Sequence, residues 1–268
     1  MRFLIVVKVS VITVCYNAEG VEDTCRSVAA QNFDDFEWIV IDGGSKSEIL
    51  EIFSQYKNKM AYFVSEKDGG IYNAMNKGIS KAKGEYLIFM NAGDAFYKET
   101  SLGDVFSQPH DADVIYGDIE FNYIEWKKIF RSRIVKNKYF FINNTLCHQA
   151  TFIKKTVFDR FGLYDESYKI VADCEKFVNL AVNDGTFEYI PLIISSFRMG
   201  GTSSNVERMQ PEIRRVYQKY YTDEELEKYK SHHRNKILQK IFSVKNSTDK
   251  KFKIITIFGL KISLKRKK

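Results

Sequence analysis

Short apolar runs, rich in β-branched residues, alternate along the first third of the chain with stretches in which apolar residues recur every three to four positions. The runs are Val9–Cys15, Phe36–Ile41, Ala61–Val64 and Tyr86–Met90. They are too short for helices and apolar enough to be strands covered on both faces. Between them lie three helical patterns: Gly20–Ala30, Lys46–Tyr56 and Ile71–Ala82, the last with Ile71, Ala74, Met75, Gly78 and Ile79 as its apolar stripe. This alternation predicts an α/β fold, a Rossmann-like and mostly parallel sheet with right-handed crossovers and helices on both faces.

The rhythm changes after Asp94. A helix is expected over Glu99–Val105 and a strand over Ala112–Tyr116, and Ile119–Ile134 alternates polar and aromatic residues as antiparallel ribbons do. Ala150–Ile153 reads as a strand, Asp173–Val182 as a helix, and Phe187–Ile190 and Ile193–Phe197 as two short strands separated by Pro191. From Asn205 to about Ser243 the pattern is helical and charged, with Ile213, Val216, Tyr217 and Tyr220 on one stripe. The expected organisation is a domain over 1–204, in halves 1–116 and 117–204, followed by a helical C-terminal extension over 205–268.

Composition adds little to this picture, because 44% hydrophobic and 28% charged residues are ordinary for a soluble globular protein. Charge distribution adds more. Residues 207–268 carry 18 Lys/Arg against 7 Asp/Glu, so the net charge of +7 belongs to the C-terminal end. Within that end, lysines bracket the apolar Ile254–Leu260, and the chain closes on Lys265-Arg266-Lys267-Lys268. Apolar insertion combined with attraction to anionic lipid makes 250–268 a candidate membrane-surface tail. Nucleic acid is not expected as a partner, since Phe252 and Phe258 are the only aromatic residues of this basic run.

Cys15, Cys25, Cys147 and Cys174 have no C-x-x-C spacing and read as reduced thiols of a cytoplasmic protein. Lys8 interrupts the apolar start Phe3–Val7 and no small-residue cleavage site follows, which is not the pattern of a signal peptide. No stretch approaches the roughly 20 apolar residues that span a bilayer.

Candidate chemistry sits where strands stop. Tyr86–Met90 ends in Asn91-Ala92-Gly93-Asp94, which puts a carboxylate at a strand's carboxyl end, where open α/β sheets bind ligands. Asp42 ends the second strand and is followed by Gly43-Gly44, which allow a tight turn and close backbone approach. Asp68 lies in the loop before the third helix, and Asp173 opens a helix after the apolar Ile170-Val171-Ala172. The competing reading of Asp94 is a helix N-cap, and Asp173 can serve as an N-cap and act in chemistry together. Glu175, two residues beyond Asp173, faces another side of its helix.

Six segments, in order and spacing, carry a resemblance: SVITVCYN (Ser10–Asn17), VIDGGS (Val40–Ser45), EKDGGIYNAMNKG (Glu66–Gly78), GEYLIFMNAGD (Gly84–Asp94), HQATF (His148–Phe152) and VADCEKF (Val171–Phe177). Over roughly residues 9 to 200 the chain resembles the inverting family 2 glycosyltransferases of bacterial polysaccharide synthesis. The resemblance implies a GT-A fold whose second, mixed half binds the acceptor. It also implies transfer of a sugar from a nucleoside diphosphate donor to a hydroxyl of a glycan or lipid-linked acceptor; the basic C-terminal end adds the expectation that this occurs on the inner face of the plasma membrane.

Residue roles follow from the same resemblance. Thr13, Tyr16 and Asn17 form the floor under the nucleobase, Asp42 bonds the base, and Asp68 and Asn76 reach the base or ribose. Asp94 holds a divalent cation, manganese or magnesium. In this chain Asn91 and Gly93 occupy the other positions of what is an acidic triplet in the family, so Asn91 is expected only to contact the donor. Asp173 is the general base and His148 lies near the acceptor. Apart from the resemblance, the charge of Arg198, ahead of the Gly-bearing Met199-Gly200-Gly201-Thr202-Ser203, makes it a candidate to neutralise the departing diphosphate. Two competing readings are a nucleotidyltransferase, for which no Gly-rich phosphate loop with a following Lys is present near the first strand, and a non-catalytic nucleotide-sugar or glycan-binding protein.

Overall fold

β1 (Val9–Cys15), buried at every position, runs through the middle of a block of four parallel strands. β2 (Phe36–Asp42) pairs along its whole length on one side and β4 (Tyr86–Phe89) on the other, with β3 (Tyr62–Ser65) outside β2. The crossovers are α1 (Val21–Ala29), α2 (Ser47–Tyr56) and α3 (Ile71–Lys81). Burying a Val or Ile side chain contributes on the order of 2 kcal/mol, and β1 and β2 supply such residues to both faces. The computed structural model describes residues 7–122, 126–198, 206–229, 242–246, 252–257 and 260–265.

Past β4 the sheet becomes mixed. β5 (Asp94–Phe96) and α4 (Ser101–Val105) come next in the chain, then β6 (Val114–Asn122), β7 (Lys127–Phe130), β8 (Thr151–Lys154), α5 (Lys155–Phe161), α6 (Ala172–Val182) and β9 (Phe187–Arg198). In space the order is β3-β2-β1-β4-β8-β6-β9-β5, with β7 paired to β6 outside this path. β8 is antiparallel to both β4 and β6, β6 is parallel to β9, and β5 is antiparallel to β9. The turn after β4 is therefore followed at once by a strand on the far side of the sheet.

Three sequence expectations are corrected. The stripe of α3 is rotated: Ile71 is exposed, while Tyr72 and Asn76 join Ala74, Met75, Gly78 and Ile79 in the interior. Pro191 does not divide two strands. β9 runs continuously from Phe187 to Arg198, and the register against β6 slips between the Tyr116–Tyr189 and Asp118–Ile193 pairs and again before Ile119–Ser195. Proline, without an N–H, is tolerated at such an irregularity. Gly117 lies opposite it, where a Cβ would stand 2.5 Å from the Leu192 carbonyl oxygen.

The third correction concerns the C-terminal end. α7 (Val206–Tyr220) and a helical segment over 223–229 form the expected extension, but helix does not continue to Ser243. β10 (Phe242–Asn246), β11 (Phe252–Ile257) and β12 (Leu260–Lys265) make a separate three-stranded antiparallel sheet, so Ile254–Leu260 is divided between two strands. The chain splits into two compact units, Met1–Val216 and Tyr217–Lys268. Among the described residues no helix is long and apolar enough to cross a membrane.

Packing of the first unit depends on two close backbone approaches. A Cβ at Gly84 would lie 2.4 Å from the Ser10 amide nitrogen, and one at Gly78 would lie 2.5 Å from Ile12 Cγ2. Gly84→Ala is therefore expected to cost about 1–3 kcal/mol by overpacking. Gly103→Ala, in α4 with only the Asn32 side chain at 3.8 Å, should be neutral or slightly stabilising through helix propensity. Urea titration of the two variants checks this, and equal midpoints for both would refute the packing account.

Candidate active site

Asn91–Asp94 is a tight turn closed by the Asp94 N–H donating to the Asn91 carbonyl at 2.9 Å, with Gly93 at φ +103°. Only glycine adopts that backbone without strain. The Thr24 hydroxyl of α1 fixes the turn from below, accepting from the Gly93 N–H at 2.9 Å and donating to the Asp94 carbonyl at 2.6 Å. The Asp94 side chain is thereby held in the interior, 4% exposed. Burial pushes its carboxyl up to about 7, against the lowering effects of the His148 charge, the Gln149 side chain and the Asn91 backbone.

A second carboxylate faces the same region from α6. Asp173 Oδ2 lies 3.2 Å from His148 Nδ1, and Asp173 Oδ1 lies 3.0 Å from the Tyr72 hydroxyl, which shares its proton with the Ile170 carbonyl at 2.7 Å. Burial raises the Asp173 carboxyl, but the bond and charge of His148, the Cys174 N–H and the Tyr72 hydroxyl outweigh it and leave the group below the ordinary carboxylate range. Burial lowers His148 in turn, and the hydrogen bond and charge of Asp173, with Asp94 beyond, leave the imidazole above its ordinary value. Burial and the Asp173 charge hold Tyr72 well above the usual phenol range, so it stays a donor.

His148 links the two carboxylate sites. With Nδ1–H directed at Asp173, Nε2 stands 3.0 Å from the Asn91 side-chain nitrogen and accepts from it when the ring is neutral. Asn91 Oδ1 is then left buried with no partner among the described residues. The polar chain Tyr72–Asp173–His148–Asn91 thus ends beside the Asp94 turn with an unused oxygen acceptor.

The other end of the cleft follows β2. Asp42 Oδ2 accepts from the Gly44 N–H at 3.1 Å, the Ser45 N–H at 2.9 Å and the Ser65 hydroxyl at 2.6 Å. Its Oδ1 is buried and has no partner among the described residues. A Cβ on Gly43 would stand 2.5 Å from Asp68 Oδ2 and 3.4 Å from Tyr16 Cβ, so Tyr16, Gly43 and Asp68 close on one spot above Asp42. Asn17, at φ +47°, receives the Lys46 N–H on its side chain at 2.9 Å and donates its own N–H to Ser45 Oγ at 2.7 Å.

The sequence profile of Glycosyl transferase family 2 matches residues 10–161, more than half of the chain. The chain belongs to this family. An uncharacterized glycosyltransferase of Mycobacterium tuberculosis (strain CDC 1551 / Oshkosh) is 34% identical over 184 residues, 65% of this chain and 69% of the relative. A PGL/p-HBAD biosynthesis glycosyltransferase of Mycobacterium bovis (strain BCG / Pasteur 1173P2) is 29% identical over 204 residues, 73% and 78% of the two chains. Among solved structures, S. aureus TarS 1-349 in complex with UDP-GlcNAc matches with a TM-score of 0.61 at 22% identity, covering 81% of this chain and 68% of that one. In another TarS 1-349 structure the matched region is 60% of the solved chain. A mannosyltransferase from Pyrobaculum calidifontis in complex with GDP-Man and Mn2+ matches with a TM-score of 0.59 at 16% identity, covering 80% of this chain and 64% of that one. These likenesses establish the GT-A architecture.

Of the residues expected to act in this glycosyltransferase, Asn91, Asp94, His148 and Asp173 are gathered at one place, and Tyr16, Asp42 and Asp68 at another. Two expectations are revised. Thr13 is fully buried and its hydroxyl accepts from the Trp38 indole at 3.0 Å, so it supports the sheet from within. Asn76 does not face the donor side: its amide donates to the Tyr164 carbonyl and to Glu166 and accepts from the Tyr164 N–H, clamping α3 to the 162–166 loop. Arg198 is exposed, 4.0 Å from Glu19 Oε2, and lines a groove of about 670 Å3 with Gly93, Asn122 and Ser196. The Met199–Ser203 loop lies outside the described residues.

Tyr72 and Gln149 were not singled out in the sequence. Gln149 sits beside His148 in HQATF, and Tyr72 shares a helical face with Met75, Asn76 and Ile79. That i, i+3, i+4, i+7 pattern was the available signal.

Asp94 makes stability fall with pH. The unfolded chain releases this proton near pH 4 and the folded protein only near pH 7, so between those values the folded form binds more protons and loses stability as pH rises. Asp94→Asn removes this dependence. Urea midpoints at pH 5 and pH 8 should show the variant gaining on the parent protein at the higher pH, and parallel profiles would contradict the assignment.

Proposed function

We propose that this family 2 glycosyltransferase moves a sugar, with inversion, from a nucleoside diphosphate donor to a hydroxyl of a glycan or lipid-linked acceptor in bacterial polysaccharide synthesis. The observation that carries the reading is the meeting of Asp94 and Asp173 on either side of His148, from strands and helices far apart in the chain. The UDP-GlcNAc and GDP-Man complexes of the TarS fragment and the Pyrobaculum enzyme support the donor class.

In this reading Asp42 Oδ1 accepts from a nucleobase N–H, between Tyr16 and Asp68. A buried acceptor without a partner costs roughly 1–3 kcal/mol, and a base N–H would recover it. At the other end the buried Asp94 carboxyl and the unpartnered Asn91 Oδ1 fit a hard cation, which prefers oxygen ligands. Among the described residues no group of three or more His, Cys, Asp or Glu is placed to hold a metal. Asp94 and Asn91 are then the protein's share, with diphosphate oxygens and water completing the shell. Bound there, manganese or magnesium would neutralise charge on the leaving diphosphate.

The acceptor hydroxyl oxygen forms its bond to the anomeric carbon as the carbon–phosphate oxygen bond breaks and the diphosphate leaves with the electron pair. Its proton passes to Asp173. The lowered carboxyl keeps that group ionised throughout the neutral range, and His148, Tyr72 and the Cys174 N–H occupy three of its four lone pairs, leaving one to receive the proton. Glu175, 2% exposed, is turned into the protein. Attachment to the cytoplasmic membrane face by the basic C-terminal end belongs to the same proposal.

Asp173→Asn should lower turnover at least about a hundredfold with donor binding little changed. Asp94→Asn should lose manganese stimulation. Single-turnover transfer with a panel of nucleotide sugars, alongside calorimetric donor titration, checks both. Full manganese-dependent turnover in Asp94→Asn, or the Asp173→Asn loss appearing in Glu175→Gln instead, would sink the corresponding role.

A further inference from the structure

We propose that the segment 126–139, the outer strand of the β6–β7 ribbon and its return, docks on the surface of an anionic lipid bilayer. It is carried by residues other than those of the C-terminal end and other than those of the transfer site. The segment holds six Lys/Arg and no Asp/Glu. Interleaved with them, Trp126, Ile129, Phe130, Ile134 and Tyr139 are exposed large apolar residues, five of the nine on the described surface. Exposed large apolar side chains concentrated in one short segment mark an interaction site.

β7 pairs only with β6 among the described strands, and all four of its residues are exposed. The ribbon therefore stands off the body with apolar and cationic side chains on both faces. Its root is rigid. Asp118, 1% exposed, accepts from the Ser132 N–H at 2.9 Å and the Tyr189 hydroxyl at 2.9 Å, and the Tyr116 hydroxyl accepts from the Val135 N–H at 2.8 Å and donates to the Arg133 carbonyl at 3.1 Å. Lys127 and Arg131 are matched by Glu120 at 3.1 Å and Asp118 at 3.7 Å. Lys128, Arg133 and Lys136 have no acid within salt-bridge distance among the described residues, and all three are exposed.

Cations among aromatic and aliphatic residues suit the interfacial zone of a bilayer, where rings and β-branched side chains enter the headgroup layer and ammonium and guanidinium groups meet lipid phosphate. A second copy of the chain is a poor occupant, because two such surfaces repel. Nucleic acid would use the cations and rings but leave Ile129 and Ile134 without a role. The ribbon also leads to the chemistry: its return enters Phe141, which stacks on Phe177 of α6, the helix that bears Asp173 near its start.

The chain provides its own reporter. It has two tryptophans: Trp38 is 1% exposed and Trp126 is 51% exposed. Full-length protein is mixed with vesicles of phosphatidylglycerol and phosphatidylcholine, or of phosphatidylcholine alone, at low and high salt. We expect a blue shift of emission on the anionic vesicles only, quenched by bromine-labelled acyl chains and absent in Trp126→Phe. Lys128→Glu/Arg133→Glu/Lys136→Glu should lose at least about tenfold in vesicle affinity, as three cations near an anionic surface imply. Ile129→Ser/Phe130→Ser/Ile134→Ser should abolish the shift in Trp126, with circular dichroism confirming that both variants fold. Vesicle binding without a Trp126 shift would place the contact elsewhere and overturn the proposal. So would unchanged binding by the ribbon variants, a shift of equal size on neutral vesicles, or a loss in these variants confined to oligonucleotide binding.

Discussion

A carboxylate kept ionised in a nearly enclosed place must be met by donors, and that requirement at Asp173 organises the centre of this protein. Its donors come from three parts of the chain: the Tyr72 hydroxyl from α3, the His148 imidazole from the segment before β8, and the Cys174 N–H from α6 itself. None of these segments is a neighbour of the others in sequence. Satisfying one charged group therefore fixes how the parallel block and the mixed half of the sheet meet. The surrounding clamps repeat this logic with charged groups of both signs. Lys176, 1% exposed, donates to the carbonyls of Phe161, Gly162 and Leu163, and Glu212 of α7 accepts from the backbone N–H groups of Lys169, Ile170 and Val171 just ahead of Asp173.

The two carboxylates on either side of His148 are held on opposite electrostatic terms. Asp173 is stabilised in its charged form by contacts within the chain, whereas Asp94 is isolated by burial and holds its proton up to about pH 7. His148 lies between and feels both. One group is complete in itself, and the other invites positive charge from outside the chain. This asymmetry suits a site in which one carboxylate serves the acceptor and the other serves the donor.

Much of the fold was legible because its signals are local. Each strand of the parallel block is an apolar run of the right length, and Asp42 and Asp94 were located because strands end in turns with small residues. The rest was hidden where tertiary contacts override local pattern. Asn76 has the composition of a ligand contact, and only the 162–166 loop folding over α3 reveals it as a clamp. Thr13 looked available until Trp38, from the adjacent strand, took its hydroxyl. Pro191 imitates a strand boundary locally, while the pairing of β9 with β6 carries the strand across it. Tyr72 was concealed by an apolar stripe drawn one residue out of phase.

The slip between β6 and β9 constrains chain length more than chain composition. From Tyr116 to Ile119 the one strand advances three residues while the other advances six, from Tyr189 to Ser195. The extra count is odd, and faces of a strand alternate with period two, so the slip decides which side of the sheet every later residue of β9 addresses. Ser195 is directed inward and Arg198 toward the groove beside Gly93 under this phase alone. Removing or inserting a single residue between Ile190 and Ile194 would turn that whole strand end over, whereas many replacements there would leave it in place. Variation in this segment is therefore open to changes of identity and closed to changes of number.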